Sequence, residues 1–454
     1  MGTKQKLNLF DFTMIVVGLV IGMGIFRTAA TSAKAAINPS VFFAAWVGGG
    51  LIALCGALTY AEIGSRYPVM GGYYRVFSYA YHPSIAFSIN CIIIISNAAS
   101  LGGVALIGAG YISHVFFNQP PNAVVQLTSV AAVAIFYCVN LAGLKLSAKT
   151  QSVLMAIKIA MLLVLVAALF MPAIYYHGTL PNLPAAAAAA GQNVTGGSAL
   201  GWIQSFGICL IAVSFTYGGY QHTINFGSEV NQPQKNIPRG IFMGIAIIIV
   251  LYLLVNLSYY KIIGFTGLQT GTEIASAVVG KMFGQAGANT FSALLFLSVL
   301  TYVNGQLMSN PRIMLAMSED GVLPAVFQKK SRKKEVLVVS LSVFAAICII
   351  IIFFADTFDK ILNFTIFLDS IGMAASAASI FWIRKRTRHL NNTGIYTMRL
   401  YPLQPTVFIA AYMFVAASIA IQTPNAAYTA LAVLATCMVG YFLVKRGSGQ
   451  PTNK

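Results

Sequence analysis

The sequence predicts an all-α membrane protein, and three observations carry that reading. Of 454 residues 58% are hydrophobic and only 8% charged, with a mean hydropathy of +0.78, which leaves too little polar surface for a soluble protein. Apolar runs recur at the length a helix needs to cross a bilayer, and lipid leaves no partner for backbone N–H and C=O groups except the helix itself. The basic residues fall almost entirely into alternate breaks between those runs.

Twelve runs are read as spans, at about 11 to 36, 40 to 63, 84 to 116, 123 to 143, 150 to 175, 200 to 228, 239 to 263, 288 to 315, 336 to 355, 358 to 383, 402 to 421 and 425 to 444. With both termini cytoplasmic, twenty-two lysines and arginines lie inside, among them Arg66, Arg75, Lys329, Lys330 and Arg384. Only Lys34, Lys261, Lys281 and Lys360 lie outside, and Arg27 and Lys158 sit within spans. The formal charge of +18 (28 − 10) therefore reads as topology and contact with anionic lipid, and no nucleic-acid partner is expected. The expected location is the plasma (inner) membrane, multi-pass, and the first apolar run is too long for a cleavable signal peptide.

Six cysteines are sparse and lie in apolar stretches, so neither a disulfide nor a metal knuckle is expected. None is external, and a single-span accessory subunit is not expected. A loop at 176–199 with Pro181, Pro184 and the run Ala185 to Ala190 reads as a connector, and Asn193 begins a glycosylation sequon that is silent in a bacterial host. From Thr272 to Phe283 the spacing of Ile274, Val278, Val279, Met282 and Phe283 predicts a short amphipathic helix lying over the bundle.

Two spans are interrupted. Span 1 carries Gly18, Gly22 and Gly24, and span 6 carries Gly218-Gly219 beside Thr216, Tyr217, Gln221, His222 and Asn225. Each glycine disfavours helix by about 1 kcal/mol relative to alanine, and unwound backbone at membrane depth is tolerated only around a protein-lined cavity. Close packing of helices through small residues is the alternative. The second break comes five spans after the first, an odd number, so the two run in opposite directions, as corresponding members of an inverted repeat would.

The chain resembles the amino acid, polyamine and organocation superfamily, and within it the L-type amino-acid transporters and their bacterial relatives. The marks are Gly22-Met-Gly24-Ile-Phe26, Tyr60-Ala-Glu62-Ile-Gly, Pro68-Val-Met-Gly71-Gly72-Tyr73, Phe215-Thr-Tyr-Gly-Gly, Glu229-Val-Asn-Gln-Pro233 and Asp320-Gly-Val-Leu-Pro324. The resemblance implies the leucine-transporter fold. Residues 1–175 would form the first inverted repeat and 200–384 the second, followed by a cytoplasmic loop at 385–401 and two trailing helices with a tail at 402–454. It also implies alternating-access transport of amino acids without a cofactor, by exchange or linked to protons, and independent of sodium. Neutral substrates are expected, with cationic amino acids or polyamines as the alternative.

The same resemblance places the substrate at the two breaks, over Val20, Ile21, Gly22, Met23 and Gly24 and over Phe215, Thr216, Tyr217 and Gly218. A zwitterion needs donors for its carboxylate and acceptors for its ammonium, which helix ends supply. Met23 and Gly24 would present N–H groups, and Val20, Phe215 and Gly218 carbonyls; Met23 stands where relatives often carry serine. Phe215 matches a gating ring. Lys158, an ammonium within an apolar run, is a functional residue by default. The resemblance puts it where sodium-coupled relatives hold a cation, tying span 1 to span 8. Asp369 matches a substrate-facing position; as a lone carboxylate in span 10 it is read as a partner of Lys158 or Arg27, a proton-coupling group or polar substrate contact, or a contact for a cationic substrate. Glu229, near Lys235 and Arg239, reads as an inner-gate ion pair or a helix-boundary charge.

A membrane enzyme is the rival class, and the spans offer no His-x-x-x-His, no Gly-x-Ser-x-Gly and no paired acids on one helix. A channel would need a pore motif repeated about an axis, and the chain carries none.

Overall fold

The computed structural model describes residues 7–69, 71–117, 119–171, 199–271, 273–331, 336–354, 358–390 and 394–448. The connector expected around Pro181 to Asn193 lies outside them. Fourteen α-helices are described: α1 (Leu9–Val20), α2 (Gly24–Ala35), α3 (Pro39–Arg66), α4 (Gly72–Ala80), α5 (Pro83–Phe116), α6 (Asn122–Leu141), α7 (Leu144–Ala167), α8 (Ala199–Tyr217), α9 (Pro233–Thr270), α10 (Ile274–Glu319), α11 (Val338–Phe354), α12 (Phe358–Arg386), α13 (Leu403–Gln422) and α14 (Pro424–Ser448).

Ten helices among the described residues are long and apolar enough to cross a membrane, and α1 with α2 makes an eleventh crossing bent by 41°. The remaining expected span is α11, whose 17 residues are at the lower limit of transmembrane length. Large apolar side chains point away from the bundle: Leu51, Leu127, Phe170, Val250, Phe354 and Ile421 are all more than half exposed, as lipid-facing positions require.

Polar caps and prolines set several helix starts. Asn8 and Asn38 accept from Asp11 N and Val41 N, and Pro39 and Pro83 stand at first helical positions, where the missing N–H is no loss. The sequence reading did not anticipate α4, a nine-residue helix in the first loop. Gly71 starts it with φ 64°, and Tyr73, Tyr74, Val76 and Phe77 are buried by it. The helix expected at Thr272 to Phe283 is the first part of α10, ended by Gly284 at φ 71°. Ile274, Val278, Val279 and Met282 face inward, but Phe283 is 57% exposed, because the backbone departs from helix at the next residue.

At the basic end of the bundle a buried carboxylate fixes three segments. Glu62 on α3 is fully buried and accepts from Arg66 Nε at 2.7 Å, from Arg384 Nε and a second guanidinium nitrogen at 2.6 and 2.8 Å, and from Met398 N at 2.8 Å. Removing one member of a buried ion group leaves its partners uncompensated, at a cost of about 3–5 kcal/mol. Glu62→Gln is therefore expected to lower the melting temperature in detergent well beyond Glu319→Gln, whose side chain is 48% exposed; similar melting of the two variants would contradict this account.

A second polar node joins α6, α7 and α10. Asn304 Oδ1 accepts from Asn140 Nδ2 and the Ser147 hydroxyl, each at 2.9 Å, while its Nδ2 donates to Gln151 Oε1 at 2.8 Å. Side chains satisfied in this way specify one packing of three otherwise apolar helices.

Candidate substrate-binding site

The site lies where the two broken spans cross. Helix α1 stops at Val20 because Ile21 takes ψ 87°, and α2 restarts at Gly24. On the second span, α8 ends at Tyr217 and the chain continues through Gly219, at φ 116°, into a 3-10 turn over Tyr220–Asn225. The crossing is made without intervening side chains. A Cβ on Gly219 would stand 2.2 Å from Leu19 O, and one on Gly24 would stand 2.8 to 2.9 Å from Thr216. The hydroxyls of Thr28 and Thr216 bond across the same contact.

The break exposes the groups a helix normally satisfies. The N–H groups of Met23, Gly24 and Ile25 at the start of α2 have no acceptor among the described residues. The Gly218 carbonyl has no donor among the described residues, and that of Phe215 accepts from the Gly218 N–H at a long 3.4 Å. The carbonyl of Val20, expected to take an ammonium, already accepts from Gly22 N at 2.7 Å and Tyr252 Oη at 3.2 Å.

Between the breaks is a cavity of about 60 Å³, room for several waters or a small solute. Of the residues expected there, Val20, Gly22, Met23, Gly24, Phe215, Thr216, Gly218 and Asp369 line it. Ile21 and Tyr217 do not: Ile21 is fully buried with its carbonyl turned to Lys158, and the Tyr217 ring packs on Trp46 and Tyr252 with its hydroxyl donating to Trp46 O at 3.3 Å. The wall also takes in Asn97, Ser100, Tyr302, Gln306, Gln221, His222, Met373 and Tyr412, none assigned to the site from sequence. Asn97 and Ser100 are polar residues one turn apart in an apolar span, a signal that could have found them.

Lys158 is fully buried, and its ammonium donates to Ile21 O at 2.7 Å. It ties α7 to the break, but the link to span 8 expected of it is made elsewhere on α7, by Ser147 and Gln151 to Asn304. Asp369 is not its partner, nor that of Arg27. Ser96 donates to Asp369 Oδ1 at 2.7 Å, and no lysine or arginine pairs with this carboxylate among the described residues.

Charged contacts gather at the basic end of the bundle. Glu229 lies 3.8 Å from Arg312, not beside Lys235 or Arg239 as expected, because the guanidinium is held over the Phe226 ring at 5.1 Å. The Glu229 carbonyl accepts from Leu7 N at 2.7 Å, so the segment before α1 is pinned to the same place, and Arg75 bridges to Glu319 and Asp320. At the opposite end Glu273, just before α10, has its carboxyl pushed up by burial, an effect that His114 and Arg27 counter.

Comparison with known proteins agrees with this architecture. A model of the amino acid permease family matches residues 7–443. The chain belongs to that family. Among its relatives, the serine/threonine exchanger SteT of Bacillus subtilis is 26% identical over 98% of both chains. The human cystine/glutamate transporter is 24% identical over 84% of this permease and 74% of its own length, and the mouse Asc-type amino acid transporter 1 is 22% identical over 97% and 81%. The permease is thus a multi-pass membrane transporter of the amino acid, polyamine and organocation superfamily and not an enzyme.

Proposed function

We propose that the permease exchanges neutral L-amino acids across the plasma membrane by alternating access, independently of sodium. The observation that carries this reading is the pair of facing breaks. Unpartnered N–H groups at Met23, Gly24 and Ile25 suit a carboxylate, and carbonyls at Gly218 and Phe215 suit an ammonium. Sodium independence is supported by Lys158, whose fixed ammonium occupies the Ile21 carbonyl that a mobile cation would otherwise need. Residues 1–175 and 200–384 are read as inverted repeats, and the basic end carrying Arg66, Arg75 and Arg384 as cytoplasmic.

A counterflow assay in proteoliposomes tests the reading, with one labelled neutral amino acid competed by each of the twenty unlabelled, in sodium and in choline. Neutral amino acids should compete best and sodium should make no difference.

A cationic substrate is the second reading, favoured only by the carboxylate of Asp369. Removing the acid would cost a cationic substrate about 2–5 kcal/mol. Asp369→Asn is expected to keep neutral exchange within about tenfold, or 1.4 kcal/mol. Tighter wild-type binding of arginine or lysine than of every neutral amino acid, lost in this variant, would overturn the neutral reading.

A further inference from the structure

The carbonyl ends of the two broken spans meet at one side chain that is not part of the cavity wall. Val20 is the last residue of α1, and Thr216 is next to last in α8. Tyr252, midway along α9, donates its hydroxyl to Val20 O at 3.2 Å and to Thr216 O at 3.4 Å. The residue is fully buried, its ring edge-on to Trp46 at 6.1 Å and tilted on Tyr217 at 5.2 Å. Val20 and Thr216 line the substrate cavity and Tyr252 does not.

A hydroxyl carries one proton, so the two carbonyls share a single donor. A continuing helix would bring Val20 O the N–H of Gly24 and Thr216 O that of Tyr220, and the breaks remove both. Val20 O keeps a bond from Gly22 N at 2.7 Å, and no backbone N–H reaches Thr216 O among the described residues. The C-terminal ends of two helices, each carrying roughly half a negative charge, therefore converge. They repel one another, and the proton of Tyr252 is bonded to both.

We propose that Tyr252 is a positioning residue of the substrate site, whose hydroxyl sets the spacing of the two breaks. The inference rests on the neutral-amino-acid reading and gives α9 a part in it. The N–H groups suited to a carboxylate follow Val20 on one break, and the carbonyls suited to an ammonium flank Thr216 and Tyr217 on the other. In an α-amino acid the distance between carboxylate and ammonium is fixed by covalent bonds, so the two sets of groups must be held at a matching distance. A misplacement of about 1 Å is enough to matter. Tyr252 also takes the second lone pair of Val20 O, which leaves the ammonium to Gly218 and Phe215.

The test measures the concentration dependence of labelled-alanine exchange by the full-length permease in proteoliposomes. Tyr252→Phe keeps the ring and removes only the hydroxyl; its KM for alanine is expected to rise about tenfold, with kcat within about threefold of wild type. Tyr81→Phe removes a hydroxyl that also bonds a main-chain carbonyl, Ala375 O at 2.6 Å, outside both breaks. It should leave KM within about twofold even where it lowers the melting temperature in detergent as much. Tyr252→p-aminophenylalanine, whose amino group offers one N–H to each carbonyl, should bring KM back to within about threefold of wild type. An unchanged KM in Tyr252→Phe, an equal rise in Tyr81→Phe, or no recovery with p-aminophenylalanine would each overturn the assignment. If Tyr252→Phe does not fold, the p-aminophenylalanine variant decides alone, and a KM raised about tenfold there overturns it. Wild-type alanine exchange that ignores the Tyr252 hydroxyl sinks this proposal only, whereas absence of exchange for every neutral amino acid sinks the function on which it rests.

Discussion

Lys158→Ala is expected to slow exchange by about a hundredfold while substrate affinity changes far less. The ammonium is fully buried, and its hydrogen bond to Ile21 O holds the first break in shape from the side opposite the cavity. Without it the carbonyl is left buried and unpaired, at a cost of about 1–3 kcal/mol, which the chain can recover only by rewinding or rotating the segment from Ile21 to Met23. Misplacing binding groups by about 1 Å is enough for a hundredfold loss of rate. The lysine itself does not line the cavity, so the ground-state complex should suffer less than turnover. Lys158→Met, which keeps the length of the chain but has no donor, should behave like alanine. Stimulation of wild-type exchange by sodium, or near-normal turnover of the methionine variant, would remove the role given to this residue.

Gly219→Ala should be the more damaging substitution for binding. At φ 116° an L side chain is strained by about 1–3 kcal/mol before any contact is counted. The added Cβ would also stand 2.2 Å from Leu19 O, a backbone atom that cannot swing aside, so α1 must move away from the turn that follows α8. Measured by a thermal shift in detergent with and without amino acid, the variant should fold but give no ligand-induced stabilisation. Gly22→Ala is the matched control, because its Cβ would meet Tyr302 at 3.8 Å, Val20 O at 3.9 Å and Gly24 N at 4.0 Å, all ordinary contacts. Equal ligand responses in the two variants would show that the contact between the breaks does not shape the site. Gly24 is a poorer probe than its place in the motif suggests: its Cβ would strike Thr216, so a side chain there disturbs the crossing of α2 and α8 rather than the approach of a carboxylate.

The parts of this protein readable in its sequence are those that leave a mark in composition. Clustered glycines announced both breaks, and single charges in long apolar runs announced Lys158 and Asp369, because each is costly in lipid whatever surrounds it. What the sequence could not convey is direction. His222 stood out as polar at membrane depth, but only the bond from Gly219 N to Gln221 Oε1 and the contact of that amide with the imidazole show which ring nitrogen is left over. Tyr302, Gln306 and Tyr412 reach the cavity because of how α10 and α13 are rotated, a property of packing among twelve similar apolar surfaces. Ile21 and Tyr217 were placed at the site with the broken segments they belong to, but the turns direct the Ile21 carbonyl to Lys158 and the Tyr217 hydroxyl to Trp46. Helix α4 was missed because nine residues started by a positive-φ glycine give too short a periodic signal.

Glu62 has a consequence for how the chain is assembled during synthesis. Its carboxylate must enter the bilayer with span 2, long before Arg384, 322 residues further on, has been made. A bare acid at that stage would oppose insertion. Arg66, four residues away on the same helix and bonded to Glu62 at 2.7 Å, is available at once and lets the segment enter as a locally neutral unit. When α12 arrives, Arg384 adds a second guanidinium to a carboxylate already in place, and Met398 N completes its coordination. The early pair thus acts as a placeholder that keeps span 2 insertable, and the late one as a latch that closes only after ten spans have been threaded. A chain interrupted before residue 384 would keep the first and lack the second, so truncated products should insert yet remain open to proteolysis at the basic end of the bundle.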